Sequence, residues 1–272
     1  MGGTETFELV DVRLDHPRAD GPIVEGANLK VERGEVVMIV GAAGVGTSRL
    51  VAAALGEVPC SGGRIEVMGR DVSKLRRSSL RLMRRRIGIV PQDLCLLEER
   101  DVQLNIVLPL EIDGIPRSIS ITRAADVMLK LGLEDIADVP VGELPGSIKQ
   151  RVAVARALVR EPELVIADHP TSLQDSAGTE LVCSALAEAT VTAGVIVLGR
   201  DPALRAIAEH RGWRQLGLVR GMLRPLGEIA LEGQTIEELL VASETAPARL
   251  PEEDSVPNLV QFPISARTAG VA

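Results

Sequence analysis

Tyrosine is absent from these 272 residues, and Phe7, Trp213 and Phe262 are the only aromatic side chains. A platform of stacked rings for single-stranded nucleic acid is therefore excluded. Three cysteines, Cys60, Cys95 and Cys183, stand at unrelated spacings. They make neither a disulfide framework nor a metal cluster, and they fit a reducing cytoplasm. The three histidines, His16, His169 and His210, are equally scattered. No apolar run approaches the roughly 20 residues of a membrane span, and the opening MGGTETFELV lacks the apolar core of a secretion signal. Met1-Gly2 with Thr6 matches the short myristoylation pattern, which recurs by chance and carries no weight. Positive charge is also short. Lys and Arg number 30 against 38 Asp and Glu, a formal net charge of -8, which argues against wholesale nucleic-acid binding.

What is present is a chain with 46% hydrophobic and 25% charged residues, ample for a globular core. Its organising stretch runs from Glu35 to Leu50. Val36, Val37, Met38, Ile39 and Val40 read as a buried strand, a loop follows with glycines at 41, 44 and 46, and a helical pattern begins at Ser48. Strand, glycine-rich loop and helix is the context in which backbone N–H groups cradle phosphate. The phosphate-loop consensus is G-x-x-x-x-G-K-[ST]. Here Thr47 stands at the lysine, and Ser48 keeps the hydroxyl.

Upstream, residues 7–40 alternate apolar and polar positions, predicting an antiparallel β layer that feeds the central strand. A short strand is expected at Arg64–Met68. Arg70 to Arg86 carries eight basic residues against one acid. It reads as a solvated helix face, with contact to anionic lipid or nucleic acid as the alternative. A strand at Ile87–Val90 follows. Residues 93–160 read as a mostly helical insertion, broken at Pro109 and Gly114, with helices at Arg123–Leu131 and Ile148–Val159. Strands at Leu164–Ala167 and Val195–Leu198 flank a helix at Gly178–Ala189, which is the rhythm of a parallel sheet. A hairpin around Gly221 closes the region. Thr235 with Glu238 predicts a capping box for a short helix within 231–242. The prolines at 247, 251, 257 and 263 predict a flexible tail over 243–272.

Four further segments stand in order behind the glycine loop. They are Pro91-Gln92-Asp93, Leu144-Pro-Gly-Ser-Ile-Lys-Gln-Arg, Leu164-Val-Ile-Ala-Asp168-His-Pro-Thr and Leu198-Gly-Arg-Asp201. Together they resemble the nucleotide-binding domain of ABC ATPases across about residues 5–230, and within that family the FtsE, LolD and MacB group, FtsE above all. The resemblance implies an α/β P-loop NTPase fold of ABC type, with a mostly parallel core sheet, an antiparallel β layer and a helical subdomain. It also implies ATP and Mg2+, bound weakly, and two such domains in a homodimer or heterodimer, with each ATP between one chain's glycine loop and the other's signature motif. The implied partner is an FtsX-like integral membrane permease, gripped near Gln92–Leu97 on the inner face of the cell membrane, with no nucleic acid.

Carried over residue by residue, the resemblance puts Gly41, Gly44, Gly46, Thr47, Ser48 and Arg49 at the phosphates. It puts Ser48, Asp168 and Gln92 at Mg2+, His16 near the adenine, and Gly146 and Ser147 in the signature. Asp175 matches the loop aspartate that follows. Against the family pattern, Thr47 replaces the lysine, His169 the glutamate base, Arg200 the H-loop histidine and Pro145 the signature serine. A lost charge-assisted hydrogen bond costs about 1.5–3 kcal/mol, and a general base is commonly worth about 10²–10⁴ in rate. The expectation is a scaffold with little or no hydrolysis in an envelope or division complex. The alternative is an active ATPase in which Arg49 and His169 serve as substitutes.

Overall fold

The computed structural model describes residues 5–16, 21–41 and 44–231. All of the expected helix within 231–242 beyond Leu231, with its Thr235–Glu238 capping box, and the tail at 243–272 lie outside them. Strands β1 (Glu5–Asp15) and β2 (Pro22–Glu32) pair antiparallel, with Leu9 opposite Leu29 and Phe7 opposite Val31. β4 (Gly62–Val67) and β5 (Arg70–Asp71) extend this layer in the order β2-β1-β4-β5.

The second sheet holds β3 (Val36–Gly41), β6 (Ile87–Val90), β7 (Leu164–Asp168), β8 (Gly194–Leu198), β9 (Arg214–Val219) and β10 (Met222–Pro225). Its order is β10-β9-β3-β8-β7-β6. All its neighbours run parallel except the β9–β10 hairpin. The α/β fold expected of an ABC ATPase is the fold observed.

The alternation along β3 explains why its apolar run is unbroken. Val37 and Ile39 point into a core shared with the β1–β2 layer. Val36, Met38 and Val40 point into a second core under the helices. A strand covered on both faces has no solvent side to mark with polar residues. Helices α1 (Thr47–Ala54) and α2 (Arg77–Arg85) pack on the first side. On the second lie α3 (Val102–Ile112), α4 (Arg117–Lys130), α5 (Gly146–Leu158), α6 (Ser176–Glu188) and α7 (Pro202–His210). A short α8 (Leu226–Leu231) follows the hairpin. Among the described residues no helix is long and apolar enough to cross a membrane.

Two local expectations need correction. Pro109 does not break its helix: α3 runs through it to Ile112. The buried face of Val102, Ile106, Val107 and Leu110 outweighs the roughly 3 kcal/mol that an interior proline costs. Leu94–Leu97, read as helical, is an irregular loop with Leu94 and Cys95 at φ 60 and 45.

Candidate functional site

Parallel strands present their carboxyl ends along one edge, and there open α/β sheets place their ligands. That edge gathers, in sheet order, Gly41 at the end of β3, Gly199-Arg200 after β8, Asp168 at the end of β7 and Gln92 after β6. Asp168 pairs in register with Leu198, and Leu198 with Ile39.

Between β3 and α1 the chain turns through Gly44 and Gly46, at φ 81 and 104. A Cβ on Gly46 would also come within 3.1 Å of Ile23 and Val24, so backbone and packing both demand glycine. Gly46 is the N-cap of α1. No side chain caps the helix, and its first turn holds no acid. Its leading N–H groups and positive dipole end therefore face the loop, which suits an anion. Ala42 and Ala43 lie outside the described residues.

Thr47 and Ser48 open α1. The Ser48 hydroxyl faces Asp168 Oδ2 at 3.5 Å, longer than the roughly 2.7 Å of a strong O–H···O bond. Asp168 Oδ1 is buried without a hydrogen-bond partner. A hydroxyl and a half-satisfied carboxylate are hard oxygen donors that fit Mg2+ completed by water and phosphate oxygens. Burial raises the Asp168 carboxyl above its ordinary pKa, opposed by His169 and the Ser48 hydroxyl. A raised folded-state pKa favours folding below the unfolded value of about 4 and opposes it as pH rises through the folded value. Asp168→Asn is therefore expected to melt higher than the natural chain at pH 7 without Mg2+, with the gain vanishing below about pH 4. Calorimetric melts at the two pH values check this.

Behind Asp168 the backbone is held by one buried amide. Gln150, 2% exposed on α5, donates to the His169 carbonyl (2.9 Å) and the Ser172 hydroxyl (3.1 Å). Its oxygen accepts from Leu173 N–H and from Gln174 Nε2, both at 3.1 Å. Gln174 also donates to the Ser147 carbonyl at 2.7 Å. The start of α5 and the loop after β7 thus form one hydrogen-bonded unit. His169 itself sits at φ 52, with its N–H on Leu198 O. Asp175 is engaged as the N-cap of α6, accepting from Gly178 N–H. Asp201 caps α7 and also accepts from Thr171 Oγ1 at 2.6 Å.

The loop after Gln92 is clamped from two sides. Arg156 of α5 donates to the carbonyls of Leu94 and Cys95, both at 2.6 Å. Asn105 of α3, fully buried, accepts from Leu97 N–H and donates to Leu97 O. The left-handed φ values at Leu94 and Cys95 are strain that these clamps hold in place.

A protein-family model described as ABC transporter matches residues 24–172. The chain belongs to the ABC transporter family. Over 72% of its length this ABC chain is 34% identical to the methionine import ATP-binding protein MetN of Brucella abortus, and it spans 58% of that relative's length. It is 32% identical to MetN 2 of Rhodopseudomonas palustris over 96% of its own length and 74% of the relative's. Among solved structures it is similar to the dimeric post-hydrolysis state of the ATP-binding cassette MJ0796 bound to ADP and Pi. There the TM-score is 0.71 and the identity 25%, covering 80% of this chain and 96% of that one. The fold is also that of cbiO1 from Clostridium perfringens (TM-score 0.72, 23% identity, 89% and 94% covered).

These relatives correct the expected subgroup. They are methionine-import ATP-binding proteins rather than FtsE, LolD or MacB, and the FtsX-like partner and division role fall with that subgroup.

Of the residues singled out in the ABC chain's sequence, the fold brings Ser48 and Asp168 face to face, and joins Ser147 to the loop behind His169. Gly146 and Ser147 begin α5 beyond that loop. Arg200 lies exposed between β8 and α7. His16 ends the β1 region with its N–H on Gly21 O. Gln92 is exposed, and among the described residues no hydrogen bond joins it to Ser48 or Asp168. Arg49 Nε is buried in the first turn of α1 with no hydrogen-bond partner. Gln150, Arg156 and Asn105 went unread in the sequence. A polar residue inside an otherwise apolar helical stretch, as at Gln150 and Asn105, is the signal that marks such hubs.

Proposed function

We propose that this chain is the ATP-binding subunit of an ABC-type transporter, with residues 5–230 as its nucleotide-binding domain and about 93–160 as the helical part. In this reading the glycine loop and the α1 N-terminus take the phosphates of ATP, and Ser48 and Asp168 hold Mg2+, which supplies charge neutralisation at the β- and γ-phosphates. Two domains join head to tail, with Gly146 and Ser147 of one facing the nucleotide of the other. The loop Gln92–Leu97, clamped by Arg156 and Asn105, receives an integral membrane permease on the inner face of the membrane. The relatives named for methionine import make a methionine permease the first partner to test.

We further propose that binding is weak and hydrolysis slow. The observation that carries this is the combination at one edge. The Ser48–Asp168 pair is intact, while Thr47 offers no cation to the phosphates and His169 follows Asp168 where the family's carboxylate base belongs. Pro145 at the α5 N-cap has no side-chain or backbone donor to offer. Restoring the cation tests the binding half. Thr47→Lys is expected to tighten Mg2+–ATP binding by about one to two orders of magnitude in a calorimetric titration, the worth of one charge-assisted hydrogen bond. Equal affinities would sink it.

One observation favours a second reading. The unpartnered Arg49 Nε lies one residue beyond Ser48, so a guanidinium already sits in the first turn of the phosphate helix. An active ATPase would then use Arg49 as its cation and His169 as its base.

A further inference from the structure

A dense run of positive charge lies away from the nucleotide edge, on α2. Its residues divide by burial into two sides. Met83 is buried, Ser79, Leu80 and Arg84 are half-buried, and Arg84 Nε donates to Leu55 O at 2.7 Å. The other side is two adjoining ridges at helical spacing, Arg77–Arg81–Arg85 and Ser78–Leu82–Arg86, every member exposed. Leu82 is 61% exposed between the arginines. Arg85 pairs with Asp113, and Arg86 with Glu163. Arg76, Arg77 and Arg81 have no carboxylate within ion-pair range among the described residues, although the chain as a whole is acidic.

That placement is costly for the helix alone. Like charges at i and i+4, as at Arg77/Arg81 and Arg81/Arg85, repel, and the positive first turn opposes the helix dipole. An anionic surface laid along the face relieves both. The ridge ends at a cavity of about 210 Å³ lined by Arg85, Arg86, Arg123 and Arg160 with Asp113, Glu161 and Glu163. Four guanidiniums there meet three carboxylates. In that cavity burial, and then the nearby Arg85, lower the Arg160 pKa against the pull of Asp113.

We infer that the exposed face of α2 docks on an anionic lipid surface, with Arg76, Arg77 and Arg81 at the phosphate headgroups and Leu82 reaching toward the acyl boundary. A basic helix face carrying an exposed apolar side chain suits a headgroup layer. The absence of stacking rings disfavours single-stranded nucleic acid. The contact is separate from the nucleotide site: α2 leads through Arg86 into β6, whose far end carries Gln92. It does not depend on whether ATP is hydrolysed.

The test is flotation of the full chain, without permease or nucleotide, on phosphatidylcholine vesicles with and without phosphatidylglycerol. Retention is expected only with phosphatidylglycerol, and it should fall steeply as salt rises. Arg76→Glu/Arg77→Glu/Arg81→Glu together should bind about a hundredfold more weakly. All three side chains are exposed, and an acid at Arg77 suits a helix start, so a matching melting curve will show the variant folded. Leu82→Asn should lose less. Retention on phosphatidylcholine alone, no retention on either vesicle, or equal binding by the triple variant overturns the proposal. Salt-sensitive retention of a DNA duplex without vesicle binding would hand the face to nucleic acid and overturn it as well.

Discussion

A chain carrying Thr47→Lys, Pro145→Ser and His169→Glu together is expected to hydrolyse Mg2+–ATP about 10²–10⁴ faster than the natural protein, the usual worth of a general base. On the proposed reading, the three changes answer three separate deficits at one edge of the sheet. Lysine returns a cation to the loop whose N–H groups and dipole already face it. Serine at the α5 N-cap, where proline now stands without a cap hydrogen bond, returns a donor and suits the position in its own right. Glutamate returns a carboxylate next to Asp168. The backbone at 169 is left-handed at φ 52, a conformation that costs a side chain about 1–2 kcal/mol and that His169 already bears, so the change adds little local strain. The anchors on both sides of the residue, Leu198 O and Gln150 Nε2, hold the conformation regardless. Steady-state phosphate release reads the result. No gain in the triple variant would place the deficit elsewhere and refute slow hydrolysis as a matter of these residues. Turnover in the natural chain that disappears in His169→Ala would instead establish the reading with Arg49 and His169 as substitutes.

The largest stability effect is expected at a residue that touches no phosphate. Gln150→Leu keeps the volume and removes every polar atom from a site that is 2% exposed. It leaves the Leu173 N–H and one bond of the Gln174 amide without their partner, while the His169 carbonyl loses one of its donors and keeps the Ser172 hydroxyl and N–H. Each buried group left unsatisfied costs about 1–3 kcal/mol, and Gln174 still holds the Ser147 carbonyl, so a total of about 2–4 kcal/mol is expected. That is a fall in melting temperature on the order of 10 °C for a domain of this size. Denaturant titration checks it, with Gln174→Leu as the milder comparison. A loss under about 1 kcal/mol would mean that the loop after β7 is held by something other than this amide. The change should also loosen Asp168 relative to Ser48, since the network grips the residue that follows it.

Much of the architecture was legible because it is written in local periods. The unbroken run Val36–Val40 signals a strand covered on both faces. The glycines at 44 and 46 announce backbone that other residues resist. The alternation of strands and helices from Leu164 to Leu198 predicts parallel pairing. Pro109 misled for a physical reason: a lost hydrogen bond is a local cost, and the burial of α3 against α5 that offsets it is invisible one residue at a time. The Arg156 and Asn105 clamps were hidden in the same way, since their partners are backbone atoms that carry no residue identity.

By itself the order of residues determined which groups the site has to work with: the glycine loop, Ser48 and Asp168, with Thr47, Pro145 and His169 beside them. It also determined that α2 would be basic along its length. Only the tertiary structure decided what meets what. Ser48 and Asp168, 120 positions apart, face each other because parallel strands in the order β3-β8-β7 put their carboxyl ends on one edge. Arg77, Arg81 and Leu82 became a surface because Met83 turned the opposite side of the helix into the core. Residue chemistry is a property of the chain, whereas proximity and exposure arise from burying apolar faces that no short stretch can bury alone.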